Sequence, residues 1–143
     1  MSDGISIQIE GLDELRQALA TAKQEVRKAA EDEVRKATFR VQTAAVKRMQ
    51  QGSSTGNVYE KYSPRRTHQA SAPGQPPASD TGRLASSIEN RTDGLEGVVF
   101  TRVDYGRYLE FGTQRNLRPR PWLLPSLEED APQFMRGLRG VLR

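Results

Sequence analysis

The sequence predicts an α+β fold: a small antiparallel sheet packed on one long α-helix, with a C-terminal helix and a long flexible loop. Three observations carry this. Apolar residues recur in steps of three and four from Leu12 to Met49, the spacing of one helix face. Strand signals sit before and well after that run: Ile5, Ile7 and Ile9 alternate with polar residues, and two β-rich stretches flank Asp93-Gly94 as in a hairpin. The last stretch carries Glu128, Glu129 and Asp130 early and Arg136, Arg139 and Arg143 late, the charge order that a helix dipole favours.

The elements follow in chain order. Ile5 to Ile9 form a half-buried strand, ended by Gly11. The helical run divides into a short helix from Asp13 to about Ala20 and a long one from about Gln24 to Met49, with a bend near Thr21. The apolar face of the long helix is narrow and rich in alanine: Val26, Ala29 or Ala30, Val34, Ala37, Val41, Ala44 or Ala45, and Met49. Small side chains there suit close packing against a sheet or a second helix. Glu31 with Arg35 and Asp32 with Lys36 supply i,i+4 pairs in the favourable order. Residues 51–79 are rich in Gly, Ser and Pro and show no periodicity. They read as a long flexible loop within a single domain spanning residues 1–143. Leu84 to Arg91 and Leu95 to Arg102 read as paired strands. Asp104 reads as the cap of a short helix or turn from Tyr105 to Phe111, closed by Gly112. The C-terminal helix runs from about Pro121 to Val141; Pro125 suits its first turn, whereas Pro132 predicts a kink or a delayed start.

Composition limits the function. The chain has 143 residues, a 35% hydrophobic fraction and a formal net charge of +4. A thin core of this kind favours self-association as a way to bury more surface. The charge is uneven: residues 80–113 carry four basic and six acidic groups, and residues 114–143 six basic and three acidic. Such a split suits head-to-side contacts between copies. There is no cysteine and one histidine, His68. Disulfides and thiolate metal sites are therefore excluded and a zinc site is disfavoured. No stretch approaches the roughly 20 apolar residues that span a bilayer, and the N-terminal residues lack the pattern of a signal peptide. No catalytic, cofactor-binding or metal-binding set is found. His68 lies in the loop, whereas a catalytic triad needs its base held rigidly by a third group, and no glycine-rich phosphate loop is present.

The segment from Tyr105 to Leu127 stands out. It joins Tyr105, Tyr108, Phe111 and Trp122 to Arg107, Arg115, Arg118 and Arg120, with Pro119 and Pro121 around one arginine. Aromatic residues and arginine together are the composition of an interface. Tyr105, Tyr108, Phe111, Arg118, Arg120 and Trp122 are accordingly the expected subunit contact. In the loop, Tyr59, Tyr62, Arg65 and Arg66 read either as an arm that orders on a neighbour or on DNA, or as a mobile insertion.

Three blocks, taken in order, resemble the tailed-phage neck and tail-completion proteins of the head–tail junction. The first is an opening strand, then Gly11-Leu12-Asp13-Glu14-Leu15 and the alanine-rich helix. The second is Ser71-Ala72-Pro73-Gly74-Gln75-Pro76-Pro77 leading to Asp80-Thr81-Gly82-Arg83-Leu84 and Ser87-Ile88. The third is Tyr105, Tyr108-Leu109-Glu110-Phe111-Gly112-Thr113, then Arg118-Pro119-Arg120-Pro121-Trp122-Leu123 and Pro125-Ser126-Leu127. The resemblance implies a non-enzymatic virion subunit, assembled in the host cytoplasm into a six-fold ring. Its partners would be further copies of itself, the connector or head-completion protein, the tail terminator, and double-stranded DNA passing through the lumen without sequence specificity. The alternatives are a tail-terminator or minor tail-tube subunit and, from another class, a nonspecific DNA-binding protein.

Overall fold

A helix with one alanine-lined face forms the spine of the molecule. The computed structural model describes residues 5–8, 16–17, 24–51, 55–62, 65–77, 82–115 and 117–142. Its elements are β1 (Ile5–Gln8), α1 (Gln24–Gln51), β2 (Val58–Tyr62), β3 (Arg65–Gln69), α2 (Arg83–Ser86), β4 (Glu89–Asp93), β5 (Glu96–Thr101), α3 (Asp104–Phe111) and α4 (Leu124–Val141). The α+β class and the long helix are as the sequence predicts. The short helix expected from Asp13 to Ala20, the bend near Thr21 and Ile9 fall largely outside the described residues. Within that span Arg16 and Gln17 are helical, and the Arg16 guanidinium lies 3.9 Å from the Glu96 carboxylate.

On α1 the buried positions are Ala30, Val34, Ala37, Thr38, Val41, Ala45 and Met49, the stripe read from the periodicity with Thr38 added. Thr38 is accommodated because its hydroxyl donates to the Val34 carbonyl at 2.7 Å, satisfying the polar group inside the helix's own turn. The solvent side carries ion pairs Arg27–Glu31, Asp32–Arg35 and Glu33–Lys36. The last two replace the expected Glu31–Arg35 and Asp32–Lys36 pairs. Positions three and four apart are both neighbours on a helix surface, so the exchange costs little.

One layer packed on α1 is an antiparallel sheet of order β1-β5-β4. Its central strand β5 buries Gly97, Val98, Val99 and Thr101. β4 and β5 pair from Glu89–Phe100 to Asp93–Glu96 around the turn at Gly94, as the Asp-Gly signal predicts. The other neighbour of α1 is α4. One core cluster joins Ala30, Val34 and Ala37 to Phe134 and Leu138. A second joins Val41, Ala45 and Met49 to Leu84, Ala85, Ile88, Val99, Trp122 and Leu123. The contacts advance along α1 as they retreat along α4, so the two helices run antiparallel. Part-buried polar links hold that register: the Arg40 guanidinium grips both Asp130 carboxylate oxygens at 2.5 and 3.1 Å, and Arg48 reaches the Ser126 hydroxyl at 3.1 Å and the Glu129 carboxylate. Bidentate arginine–carboxylate geometry adds direction to the packing.

Four expectations change. Within the segment read as a loop, residues 58–62 and 65–69 form a two-stranded hairpin, β2–β3, paired from Val58–Gln69 to Tyr62–Arg65. Its residues are exposed or half-buried on both faces, so no apolar alternation marks it in the sequence. Arg83 to Ser86 are helical rather than extended; Leu84, Ala85 and Ile88 enter the core together at a spacing that one helical turn supplies. Asp104 lies in the first turn of α3 but does not cap it; Val103 is the N-cap residue. Pro132 does not delay the start of α4, which begins at Leu124 and continues through it. Pro132 is exposed, so the carbonyl that it leaves without a donor faces water.

The packing makes a sharp contrast between adjacent residues on α4. Phe134→Ala should lower unfolding stability by about 3–5 kcal/mol, and Met135→Ala by less than about 0.5 kcal/mol. Urea unfolding followed by circular dichroism measures both; equal losses would mean that α4 presents a different face to α1.

Candidate functional site

The aromatic–arginine segment is built around one buried carboxylate. Leu123, the N-cap residue of α4, has no side chain that can accept a hydrogen bond, and no local cap is made. The first N–H groups of a helix need acceptors. Glu110, on the last turn of α3, supplies them. Its Oε2 accepts from the backbone N–H of Trp122 at 2.8 Å and of Leu123 at 2.9 Å, and its Oε1 accepts from Leu124 N–H at 2.9 Å. Glu110 is only 5% exposed, so these bonds operate away from water, and the carboxylate faces the positive end of the α4 dipole.

The rest of the segment follows from that anchor. Gly112 adopts φ 74° and ends α3, with its N–H donating to the Tyr108 carbonyl at 2.8 Å. The chain turns back through Thr113 N–H to Leu117 O at 2.9 Å, and Arg120 N–H donates to Leu109 O at 2.6 Å. Trp122 then inserts, 0% exposed, with its indole N–H donating to the Gly106 carbonyl at 3.0 Å. A Cβ at Gly106 would sit 2.8 Å from Thr101 Cγ2 and 3.0 Å from Leu84 Cδ1, so no larger residue fits beneath the indole. The Arg120 guanidinium donates to the Ser71 carbonyl at 3.1 Å and Gly74 N–H to the Pro119 carbonyl at 2.9 Å. These two bonds tie the base of the β2–β3 segment to the same connector.

The six residues expected to make a subunit contact therefore divide. Trp122 belongs to the core of its own chain and is not available to a neighbour, a correction that follows from the pull of Glu110 on its N–H and from the small volume of Gly106. Arg120 is part-buried and serves the connector. Tyr105, Tyr108 and Phe111 are 38, 50 and 63% exposed. At positions i, i+3 and i+6 of α3 they share one outward face. Arg118 is exposed, as are Arg107 and Arg115, and these three have no bonded partner among the described residues. The Arg83 guanidinium lies 5.9 Å from the centre of the Tyr105 ring, a cation–π contact.

The four expected arm residues meet on the hairpin. Tyr62 lies opposite Arg65, Arg66 opposite Lys61, and Tyr59 opposite His68. Tyr59, Tyr62 and Arg65 are exposed, Arg66 half-buried. The Tyr62 hydroxyl donates to Glu60 at 2.7 Å, and that bond to a carboxylate holds its phenol above the usual tyrosine value.

Three of the six acidic groups in residues 80–113 have partners within the chain. Glu110 is internal, Glu89 pairs with Arg102 at 2.7 Å and Glu96 faces Arg16. A groove of about 630 Å³ lies between α1 and α4, beside Phe39 and Lys47; its Arg40 and Arg48 are already bonded across the helix pair. Among the described residues no group of three His, Cys, Asp or Glu is placed to hold a metal ion, and no helix is long and apolar enough to cross a membrane.

Sequence reasoning quoted Glu110 within a motif without assigning it a role. A signal was present: a carboxylate in the last turn of a helix opposes that helix's own dipole, which marks it as serving another element.

Replacing Glu110 by Ala strands two buried N–H donors and one part-buried one and should cost about 3 kcal/mol or more, whereas Glu128→Ala, exposed on α4, should stay within about 0.5 kcal/mol. Thermal unfolding followed by near-UV dichroism of Trp122 reads both. A Glu110→Ala chain as stable as the parent would overturn the anchoring role.

The family model described as "Bacteriophage HK97-gp10, putative tail-component" matches residues 13–112. That span includes α1, the hairpin, β4, β5 and α3 with Glu110, and stops before the Pro-Arg-Pro-Trp turn and α4. No curated protein and no solved structure matches the chain.

Proposed function

The chain belongs to the bacteriophage HK97-gp10 tail-component family, and from that premise we propose that it is a non-enzymatic ring subunit of the phage head–tail junction. In this reading it joins the filled head to the tail and leaves a lumen through which double-stranded DNA passes. Six copies close the ring, with the connector or head-completion protein on one side and the tail terminator on the other.

The observation that carries the reading to particular residues is the outward face of α3. Tyr105, Tyr108 and Phe111 are exposed on a helix whose opposite side is locked by Glu110 and Trp122. Aromatic side chains held on a rigid element lose little entropy on binding and suit the centre of a protein contact. The flanking Arg107, Arg115 and Arg118 suit its rim. Duplex DNA offers phosphates to arginine but no exposed base faces for three aromatic rings, so this face favours protein.

Phage particles made without the protein should show filled heads beside separate tails in the electron microscope. Tails of irregular length would assign a terminator role instead, and joined infectious particles would refute the proposal. The triple variant Tyr105→Ser/Tyr108→Ser/Phe111→Ser should fold with nearly unchanged stability, because these side chains are exposed, yet should fail to restore joined particles. Full restoration would remove α3 from the contact.

A further inference from the structure

The described residues of the β2–β3 hairpin contribute to neither core cluster. Its principal element contact is the pairing of its two strands with each other. It exposes Val58 at 63%, Tyr59 at 50% and Tyr62 at 73%. An isolated two-stranded hairpin is marginally stable in water, and a third strand or a packed face is what makes it persist. The ladder continues below it through Gly56 N–H to Ala70 O at 2.8 Å and Ala70 N–H to Asn57 O at 2.9 Å. Its base is therefore anchored while its strands present open edges.

Elsewhere on the chain, β4 is also an edge. In the sheet order β1-β5-β4 no strand lies beyond it among the described residues. At the other edge, α3 packs beside β1. A bare edge is a row of unused backbone donors and acceptors. The lengths agree: β3 and β4 each have 5 residues.

Charge decides between the surfaces that could receive the hairpin. Residues 58–69 carry Lys61, Arg65 and Arg66 against Glu60, while β4 carries Glu89 and Asp93 against Arg91, with Glu96 just beyond; Glu89 and Glu96 stay half-exposed beside Arg102 and Arg16. The α3 face, with Arg83, Arg107, Arg115 and Arg118 against Asp104, would repel it. Arg65 is exposed and has no bonded partner among the described residues, and β3 is the more basic strand of the two. Like charges brought together at an interface are strongly disfavoured.

We infer that the β2–β3 hairpin of one copy docks through β3 along the open edge of β4 in the next copy, adding its strands to that sheet. The donor and the receiving edge are different surfaces of the same chain, so the contact is head-to-tail, the kind that closes into a ring and not a two-fold dimer. Main-chain bonds supply the affinity and the charged strand ends supply the register. The inference deepens the ring reading above and rests on it in one respect, that copies meet side by side.

The absence of cysteine makes a direct test clean. Single-cysteine chains Thr67→Cys on β3, Arg91→Cys on β4 and Tyr108→Cys on α3 are purified, mixed in pairs and oxidised, and cross-linked dimer is measured on non-reducing gels. The Thr67→Cys with Arg91→Cys mixture should give several-fold more dimer than Thr67→Cys with Tyr108→Cys or than any variant alone. Arg65→Glu should reduce that yield several-fold, and pairing it with Asp93→Arg in the receiving copy should restore it. Dimer from Thr67→Cys alone would mean that hairpins pair with each other, preferential linkage to position 108 would place the hairpin on α3, and absence of dimer at the highest soluble concentration would remove the contact; each overturns the inference. An unchanged helix melting curve shows that the helical body of each variant is folded. The readout is contact between pure copies, so its failure is distinguishable from failure of the virion role, which is read by whether heads and tails join.

Discussion

The Glu110 carboxylate is the constraint on which the second half of the molecule depends. It is buried, it accepts from the N–H groups of Trp122, Leu123 and Leu124, and those groups begin α4. Without an acceptor at that point the helix would start with buried, unsatisfied donors, because Leu123 cannot cap it and Pro125 follows at once. The same bonds set where Trp122 goes. Trp122 in turn fills the space between α3, α2 and β5 that only Gly106 leaves open. One side chain thus couples the end of α3, the proline turn, the start of α4 and the larger core cluster.

The second organising feature is α1. Its alanine and valine stripe is narrow enough for the sheet and α4 to approach it on adjoining sides. Its first half meets Phe134 and Leu138, and its second half meets Trp122, Leu123 and the α2–β4 region. Arg40 and Arg48 fasten the α4 side by charge-assisted bonds in part-buried positions. Exposed pairs elsewhere on α1 are worth a few tenths of a kcal/mol at most, and the helix's place is decided by apolar burial.

This construction divides the surface into two kinds. The α3 face is stiff, since its inner side is locked by Glu110, Gly106 and Trp122. The hairpin is held at its base through Ser71, Gly74 and Gly56, and its principal element contact is between its own two strands. A stiff aromatic face suits a fixed protein contact, and such a hairpin suits strand addition. Both belong to a chain whose core is thin for its length, so surface left open within the monomer is surface available for assembly.

The sequence by itself determined the elements that bury one side. The α1 stripe, the β4–β5 hairpin at Asp93-Gly94, the helix closed by Gly112 and the dipole-ordered charges of α4 were all legible, because one-sided burial and special backbone conformations leave periodic or residue-specific marks. The tertiary structure decided what long-range partners control. The β2–β3 hairpin had no readable alternation because neither of its faces is buried in the chain. Leu84 to Ile88 look extended in isolation and become helical because one turn places three of their side chains in a single core. Trp122 carries an interface composition in the sequence and is internal in the fold, because a carboxylate 12 residues earlier and a glycine 16 residues earlier make its pocket. Within the acidic middle of the chain, Glu89 and Glu96 meet arginines and Glu110 meets backbone N–H groups that only folding brings to them.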